Sequence, residues 1–278
     1  MPETYSVLMS VYAAERPEWL LQSLRSMFAQ TLPPGEVVLV CDGPLTPPLE
    51  QAAADAAAGA PCPLRLLRLE RNCGLGEALR RGLPACQNEF VARMDTDDLA
   101  RPDRCRLQLR AMEERGLDLC SGTVAEFAGD PARPLCLRSL PLEHDRLVEY
   151  AQSRNPMNHP AVMLRKSAAL AAGGYRPAQL FEDYDLWLRM IRAGARLGNL
   201  QETLVDMRVN PDFYARRGGW SYWKAVRRFW LEAGRQGFVT RGRCARNLCI
   251  RFAACMMPGP LRQRLYRRGL RSKLPARP

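Results

Sequence analysis

Four short apolar runs, each followed by a helix-like stretch or an acidic turn, fill the first 95 residues and restrict the fold more than any other feature. The runs are 5–11 (YSVLMSV), 36–41 (EVVLVC), 64–69 and 89–94. Uninterrupted apolar segments of this length read as strands buried on both faces. Between them lie 17–30, with Leu20, Leu21, Leu24, Met27 and Phe28 at helical spacing, then an Ala-rich stretch at 49–58, then 76–83 after the Asn72-Cys73-Gly74 turn. Pro17 opens the first helix, where a missing N–H costs nothing. Strand–helix alternation predicts an α/β fold with a mostly parallel sheet, right-handed crossovers and helices on both faces. Ligands of such sheets sit beyond the carboxyl ends of the strands. Ser10, Asp42, Asn72 and the Asp95-Thr96-Asp97-Asp98 run follow those ends and should converge on one edge.

The remaining chain predicts helices at 103–115, 142–153, 167–172 and 182–193, and strands at 119–127, 160–165 and 204–209. With 278 residues, 47% of them apolar, the chain can bury one large core and carry an appendage. Its charge of +12 is uneven. Residues 216–278 hold 17 Lys and Arg against one acid, Glu232, a balance of +16 that leaves −4 for 1–215. The Gly218-Gly219 pair marks the change from a near-neutral body, 1–215, to a basic helical tail, 216–278. Such asymmetry points to contact with phosphate-rich matter. The ten cysteines form no Cys-x-x-Cys pair and no zinc spacing, so they read as small core residues of a chain in a reducing cytosol. The first residues carry no basic leader and no run approaches the roughly 20 apolar residues of a membrane span, so a cytoplasmic location, at most on a membrane surface, is expected.

Three acids within four residues, Asp95, Asp97 and Asp98, repel one another unless a cation lies among them. An Asp-x-Asp pair offers hard oxygen ligands to Mg²⁺ or Mn²⁺, which bind one or two carboxylates together with substrate phosphate. Read alone, the run is equally a solvated turn; its place after a buried strand favours the site. Glu182 and Asp183 open a predicted helix, where acids complement the macrodipole and capping is the simpler reading. His159 is one of two histidines and stands in a loop before a strand. No Gly-x-x-x-x-Gly-Lys-Ser/Thr loop is present, which argues against a P-loop enzyme.

Seven segments in order resemble family 2 glycosyltransferases of the GT-A fold, nearest to those that build bacterial capsular and exopolysaccharides of the amylovoran type. They are Ser6 through Tyr12, Val40-Cys41-Asp42-Gly43-Pro44, Asn72-Cys73-Gly74-Leu75-Gly76, Ala92 through Asp98, Asn155-Pro156-Met157-Asn158-His159-Pro160, Gly173-Gly174-Tyr175, and Phe181 through Trp187. The resemblance implies that Ser10, Val11, Tyr12, Asn72 and Asp42 border the nucleotide, with Asp42 bonding the base. Cys41 stands where the family often has a second acid. Asp95 and Asp97 would be the metal pair, Asp97 the more direct ligand, and Asp183 the catalytic base. Arg208, Arg216 and Arg217 would clamp the diphosphate. Asn158, His159 and Glu182 would touch donor or acceptor.

The implied activity is inverting transfer from a nucleoside-diphosphate sugar, a UDP-sugar above all, to a glycan or polyprenyl-linked acceptor in surface polysaccharide synthesis. A divalent cation, Mn²⁺ or Mg²⁺, would serve it. The tail interleaves Trp220, Tyr222, Trp223, Phe229 and Trp230 with basic residues. An RNA-binding patch, a helix packed on the catalytic domain and an interfacial membrane helix all fit that pattern. An anionic membrane surface is the favoured partner, and nucleic acid is not expected. Two other readings are a sugar nucleotidyltransferase, which would need a Gly-rich basic loop where Tyr12-Ala13-Ala14-Glu15-Arg16 stands, and a non-enzymatic RNA- or membrane-binding protein.

Overall fold

Apolar side chains on both faces of its strands put the first half of the sheet at the centre of the molecule. In the computed structural model, which describes residues 4–177, 180–209, 218–259 and 261–262, β1 (Tyr5–Val11), β2 (Glu36–Cys41) and β4 (Phe90–Asp95) are buried almost throughout. β3 (Leu64–Arg68) is the half-exposed edge. These four run parallel in the order β3-β2-β1-β4. Ser10 stands opposite both Val40 and Asp95, so the carboxyl ends meet on one edge as the alternation predicts.

Period-two alternation sends odd residues of β1 to one core and even residues to another. Val7, Met9 and Val11 pack with Leu20, Leu24 and Met27 of α1 (Pro17–Phe28) and Leu49 of α2 (Pro47–Ala58). Leu8 packs instead with Leu79 and Leu83 of α3 (Leu75–Ala85) and with Trp187 and Met190 of α7 (Glu182–Arg192). Both faces of the sheet are therefore covered.

Beyond β4 the sheet becomes mixed. β8 (Met163–Arg165) joins β4 antiparallel, then come β6 (Leu119–Phe127), β9 (Leu197–Arg208) and the two-residue β5 (Leu99–Ala100), while β7 (Cys136–Arg138) pairs the other edge of β6. The strand expected at 160–165 is only β8, because His159–Ala161 forms a 3-10 turn. The helix expected at 142–153 shortens to α5 (His144–Tyr150), and α6 spans Lys166–Ala171. The last strand is longer than 204–209. Its exposed middle, Gln201 and Glu202, has no apolar pattern, and it follows β6 across register shifts at Gly122/Thr123 and Thr123/Val124.

A buried polar weld fixes where β4 ends. Arg104 of α4 (Arg104–Arg115) is fully buried, and its Nη2 donates to the carbonyls of Arg93 (2.6 Å) and Val162 (3.2 Å). Gln108 extends the weld to the carbonyls of Ala161 and Cys120. A guanidinium with five donors is the group that can satisfy several carbonyls at once in a dry interior.

The described part of the tail is two helices, α8 (Gly219–Arg235) and α9 (Arg241–Met256), docked on the body. Val226, Phe229, Trp230 and Ala233 form a third core with Tyr184 and Leu188 of α7. Phe229 stacks on Phe181 at 4.8 Å between centroids, and Trp230 is only 2% exposed. Asn247 donates to the carbonyl of Gln152 (2.8 Å), and Arg251 to that of Ser153 (3.1 Å). The Trp face thus packs on the body, one of the readings its sequence left open. All ten cysteines are unbridged. Among the described residues no helix is long and apolar enough to cross a membrane.

Candidate active site

The turn between β4 and β5 brings carboxylate oxygens of Asp95, Asp97 and Asp98 within 4.8 Å of one another. Each acid stands in a different setting. Asp95 receives both guanidinium nitrogens of Arg93, which lies two residues earlier on the same strand and hence on the same face. Arg93 is 2% exposed, so it needs that counter-charge. Asp98 is buried and accepts the backbone N–H of Arg208 (2.7 Å). Burial, then the charges of Asp97 and Asp95, hold its carboxyl far above the usual range. Asp97 is half-buried and has no guanidinium partner among the described residues. Burial, followed by Asp95 and Glu15, pushes it up to about 7.

Crowding of this kind is what a divalent cation relieves, and an all-oxygen donor set suits Mn²⁺ or Mg²⁺. The residues fit such an ion. Asp97 is the most available ligand, because Asp95 is engaged by Arg93 and Asp98 is sealed under the turn.

The neighbouring strand ends carry the other predicted nucleotide residues. Ser10 is half-buried, its carbonyl receiving the Thr96 hydroxyl (3.3 Å), while Tyr12 is 45% exposed on the rim. Val11 corrects expectation: its side chain is buried in the core and its carbonyl accepts the Asp42 N–H, so no side-chain contact with a base is open to it. Asp42 has a structural task that pattern alone did not show. Its two oxygens accept the N–H groups of Cys73 (2.7 Å) and Gly74 (2.9 Å). That grip pulls the Asn72 turn against Gly43, where a Cβ would lie 2.7 Å from the Asn72 nitrogen and φ is +89°. Asn72 itself is exposed on that turn.

Asp183 sits one residue into α7, far from the acidic turn in sequence. Its Oδ2 accepts Nδ2 of Asn155 (2.6 Å) and its Oδ1 accepts the backbone N–H of Tyr184 (2.7 Å). Asn155 belongs to the Asn-Pro-Met-Asn-His-Pro segment, yet no pattern tied it to Asp183, 28 residues away. Burial raises the Asp183 carboxyl, while these two bonds and the positive fields of Arg93 and Arg138 oppose the rise. Glu182 is pushed up to about 7 by burial and then by Asp183. Two hydrogen bonds to its oxygens oppose the rise at Asp183, which makes it the stronger candidate for a base. A side chain at Gly76 would lie 2.8 Å from the Arg176 carbonyl and 3.2 Å from the Glu182 Cβ; its absence lets α3 close on this corner.

The hydrogen bond gives an expectation for the pH–rate profile. Asn155→Ala removes a bond to the carboxylate, so the acid limb of kcat/KM should move to higher pH. A limb that stays in place would show that Asp183 does not set it.

One cleft of about 440 Å³ reaches from Asp95 to Asp183, lined also by Glu182 and His159 from the body and by Tyr222 and Arg251 from the tail. His159 bonds the Tyr175 hydroxyl through Nε2 (3.3 Å) and meets the edge of Trp187; burial and Arg93 depress its pKa, which keeps it neutral. Asn158 is a second correction. It is fully buried, and its amide donates to the carbonyls of Gly122 (2.8 Å) and Arg138 (3.0 Å), so it holds strands together and does not reach substrate. Arg208 lies between the rings of Trp19 and Phe127, 4.7 Å from each centroid, and its Nε donates to the Asp97 carbonyl (3.0 Å). It thereby braces the acidic turn. Arg216 and Arg217 lie outside the described residues.

An acidic turn after a parallel strand, a hydrogen-bonded carboxylate across a cleft and a mixed sheet agree with the resemblance in the sequence. The profile of the Glycosyl transferase family 2 matches residues 6–170. The chain is a family 2 glycosyltransferase. This glycosyltransferase is 38% identical over 266 residues to the amylovoran biosynthesis glycosyltransferase AmsE of Erwinia amylovora, covering 94% of this chain and 97% of that one. It is 31% identical to the UDP-Gal:alpha-D-GlcNAc-diphosphoundecaprenol beta-1,3-galactosyltransferase of Escherichia coli, covering 96% of each. It superposes with a TM-score of 0.64 and 15% identity on the mannosyltransferase PcManGT of Pyrobaculum calidifontis, solved with GDP-Man and Mn2+, over 91% of this glycosyltransferase and 70% of that chain. The GT-A fold is shared. Membership in this family makes the protein an enzyme of glycosyl transfer, and the nucleotidyltransferase and non-enzymatic readings give way to it.

Proposed function

We propose that the enzyme transfers a sugar from a UDP-sugar, with inversion, to a hydroxyl of a lipid-linked glycan in surface polysaccharide synthesis. The observation that carries this reading is the single cleft that holds both Asp95, beside the acidic turn, and the doubly bonded Asp183. Asp97 and Asp95 would hold Mn²⁺ or Mg²⁺, whose charge offsets that of the departing diphosphate. Ser10, Tyr12, Asp42 and Asn72 border the nucleotide at the strand ends. Arg208 keeps the acidic turn in place beside the leaving group. Asp183 takes the proton from the acceptor hydroxyl as it attacks the anomeric carbon, and the nucleoside diphosphate departs from the opposite face. Glu182 and His159 shape the wall around that hydroxyl.

A UDP donor and a lipid-linked acceptor are supported by what the Escherichia coli relative's name says of that protein. The tail supports a location on the inner face of the cytoplasmic membrane. In this reading 1–215 is the catalytic domain and 216–278 the membrane-associating part. Trp220, Ile250, Phe252, Met256 and Leu261 are exposed large apolar side chains in a segment rich in arginine. Such faces lie in the interface, where each basic residue contributes about 1 kcal/mol on anionic lipid.

A panel of nucleotide sugars tests the reading, with released nucleoside diphosphate measured in the presence of Mn²⁺ and a polyprenyl-diphosphate-linked sugar. UDP released from one donor, with its sugar found on the acceptor, is the expected result. Release of pyrophosphate from a nucleoside triphosphate, or transfer from a GDP-sugar alone, would overturn it.

A further inference from the structure

Three arginines from separate parts of the chain line the same cleft as Asp183: Arg138 of β7, Arg154 just after α5, and Arg251 of α9. Among the described residues neither Arg154 nor Arg251 has a carboxylate partner, although the protein pairs many of its other arginines. Each has one contact with the body. Arg251 donates to the carbonyl of Ser153 (3.1 Å), and the Arg154 guanidinium lies over the Tyr150 ring at 6.0 Å. Two residues after Ser153 comes Asn155, which holds Asp183.

That chain order sets a distance. Ser153, which anchors Arg251, and Asn155, which anchors the carboxylate of Asp183, are separated by about 7 Å of chain at most. A sugar ring spans a comparable distance from the hydroxyl under attack to the substituent on its own anomeric carbon. An acceptor whose hydroxyl meets Asp183 has that substituent within the cleft the three arginines line. The donor does not need them, since its phosphates have a cation site at Asp95 and Asp97.

We propose that Arg154 and Arg251, with Arg138 beside them, form a second anion site, which binds a phosphate ester on the reducing end of the acceptor. This rests on the glycosyl-transfer reading above and adds the group by which the acceptor is recognised. Guanidinium forks match phosphate oxygens two at a time. Arg251 is supplied by the tail, so α9 completes the acceptor site as well as covering the body.

The test is the double variant R154Q/R251Q in the 278-residue chain, which removes both charges and keeps polar side chains. Two acceptors carrying one sugar are compared, a farnesyl diphosphate-linked sugar and the corresponding octyl glycoside, which has no phosphate. The preference for the first over the second, as a ratio of kcat/KM, should fall about 10- to 100-fold, the range set by losing bonds to a charged group. R154K/R251K should recover part of it. Direct titration with the farnesyl diphosphate-linked sugar, in the presence of UDP, should show the same loss of affinity without any turnover. An unchanged preference, or an equal loss on both acceptors, would overturn the anion site. So would reduced binding to phosphatidylglycerol vesicles with the preference intact, because the arginines would then serve lipid headgroups. If wild-type enzyme binds the diphosphate acceptor through these arginines but transfers no sugar, the site stands and the transfer reading fails.

Discussion

Asp183→Asn should lower kcat by ~10²–10⁴, the usual contribution of a positioned general base, while UDP still binds. The exchange is isosteric, and the Tyr184 N–H can still donate to the side-chain oxygen. The cost falls on Asn155. Its Nδ2 now faces another amide nitrogen, and turning the amide over would break the bond its oxygen accepts from the Met157 N–H (3.2 Å). Full activity in this variant would remove Asp183 from the role of base. Unaltered UDP affinity together with the rate loss separates chemistry from misfolding, since the residues proposed to border the nucleotide lie at the ends of β1 and β2 and not around Asp183.

The second large effect belongs to the acidic turn. Asp97→Ala should lose about 10²–10³ in kcat/KM and nearly all dependence of nucleotide binding on Mn²⁺, because cation stabilisation of a leaving diphosphate is worth several kcal/mol. Titration of UDP with and without Mn²⁺ reads this directly, and Mn²⁺-dependent binding that survives the substitution would exclude Asp97 as a ligand. Asp97 is a cleaner target than its neighbours. Removing Asp95 would strand the buried Arg93, and removing Asp98 would release the Arg208 N–H and with it the join between the turn and β9. Loss of activity in either could reflect a damaged fold.

Strands β1, β2 and β4 were legible because continuous burial leaves continuous apolar runs, and their shared edge followed from the alternation. The acids after β4 were legible for the same reason. β5 and β7, of two and three residues, are too short to carry a period, and β9 hides its length behind an exposed middle and an irregular pairing with β6. At the site, what pattern could not show were through-space ties: Asp42 gripping the Asn72 turn, Arg93 occupying Asp95, and Asn155 holding Asp183. Each links residues that no local spacing relates, apart from Arg93 and Asp95, whose pairing depends on a burial that sequence does not reveal. Val11 and Asn158 were assigned to substrate through the segments they belong to, but neighbours of a site are often the packing that supports it. The tail's aromatic face was ambiguous because a Trp buried on α7 and a Trp in a bilayer interface look alike in sequence.

The docking of α8 and α9 also has a consequence in time. A chain emerges from the ribosome N-terminus first, at about 5–20 residues per second, and domains organise as they appear. The donor edge, complete by Asp98 apart from its brace at Arg208, can form long before Arg251 has been synthesised. Until α9 reaches Ser153, the cleft lacks one wall, and on the reading proposed above the nascent enzyme has a place for its costly activated sugar but an unfinished seat for the molecule that should receive it. Productive turnover would thus wait on α8 and α9, which are made well after the strands that carry the acidic turn.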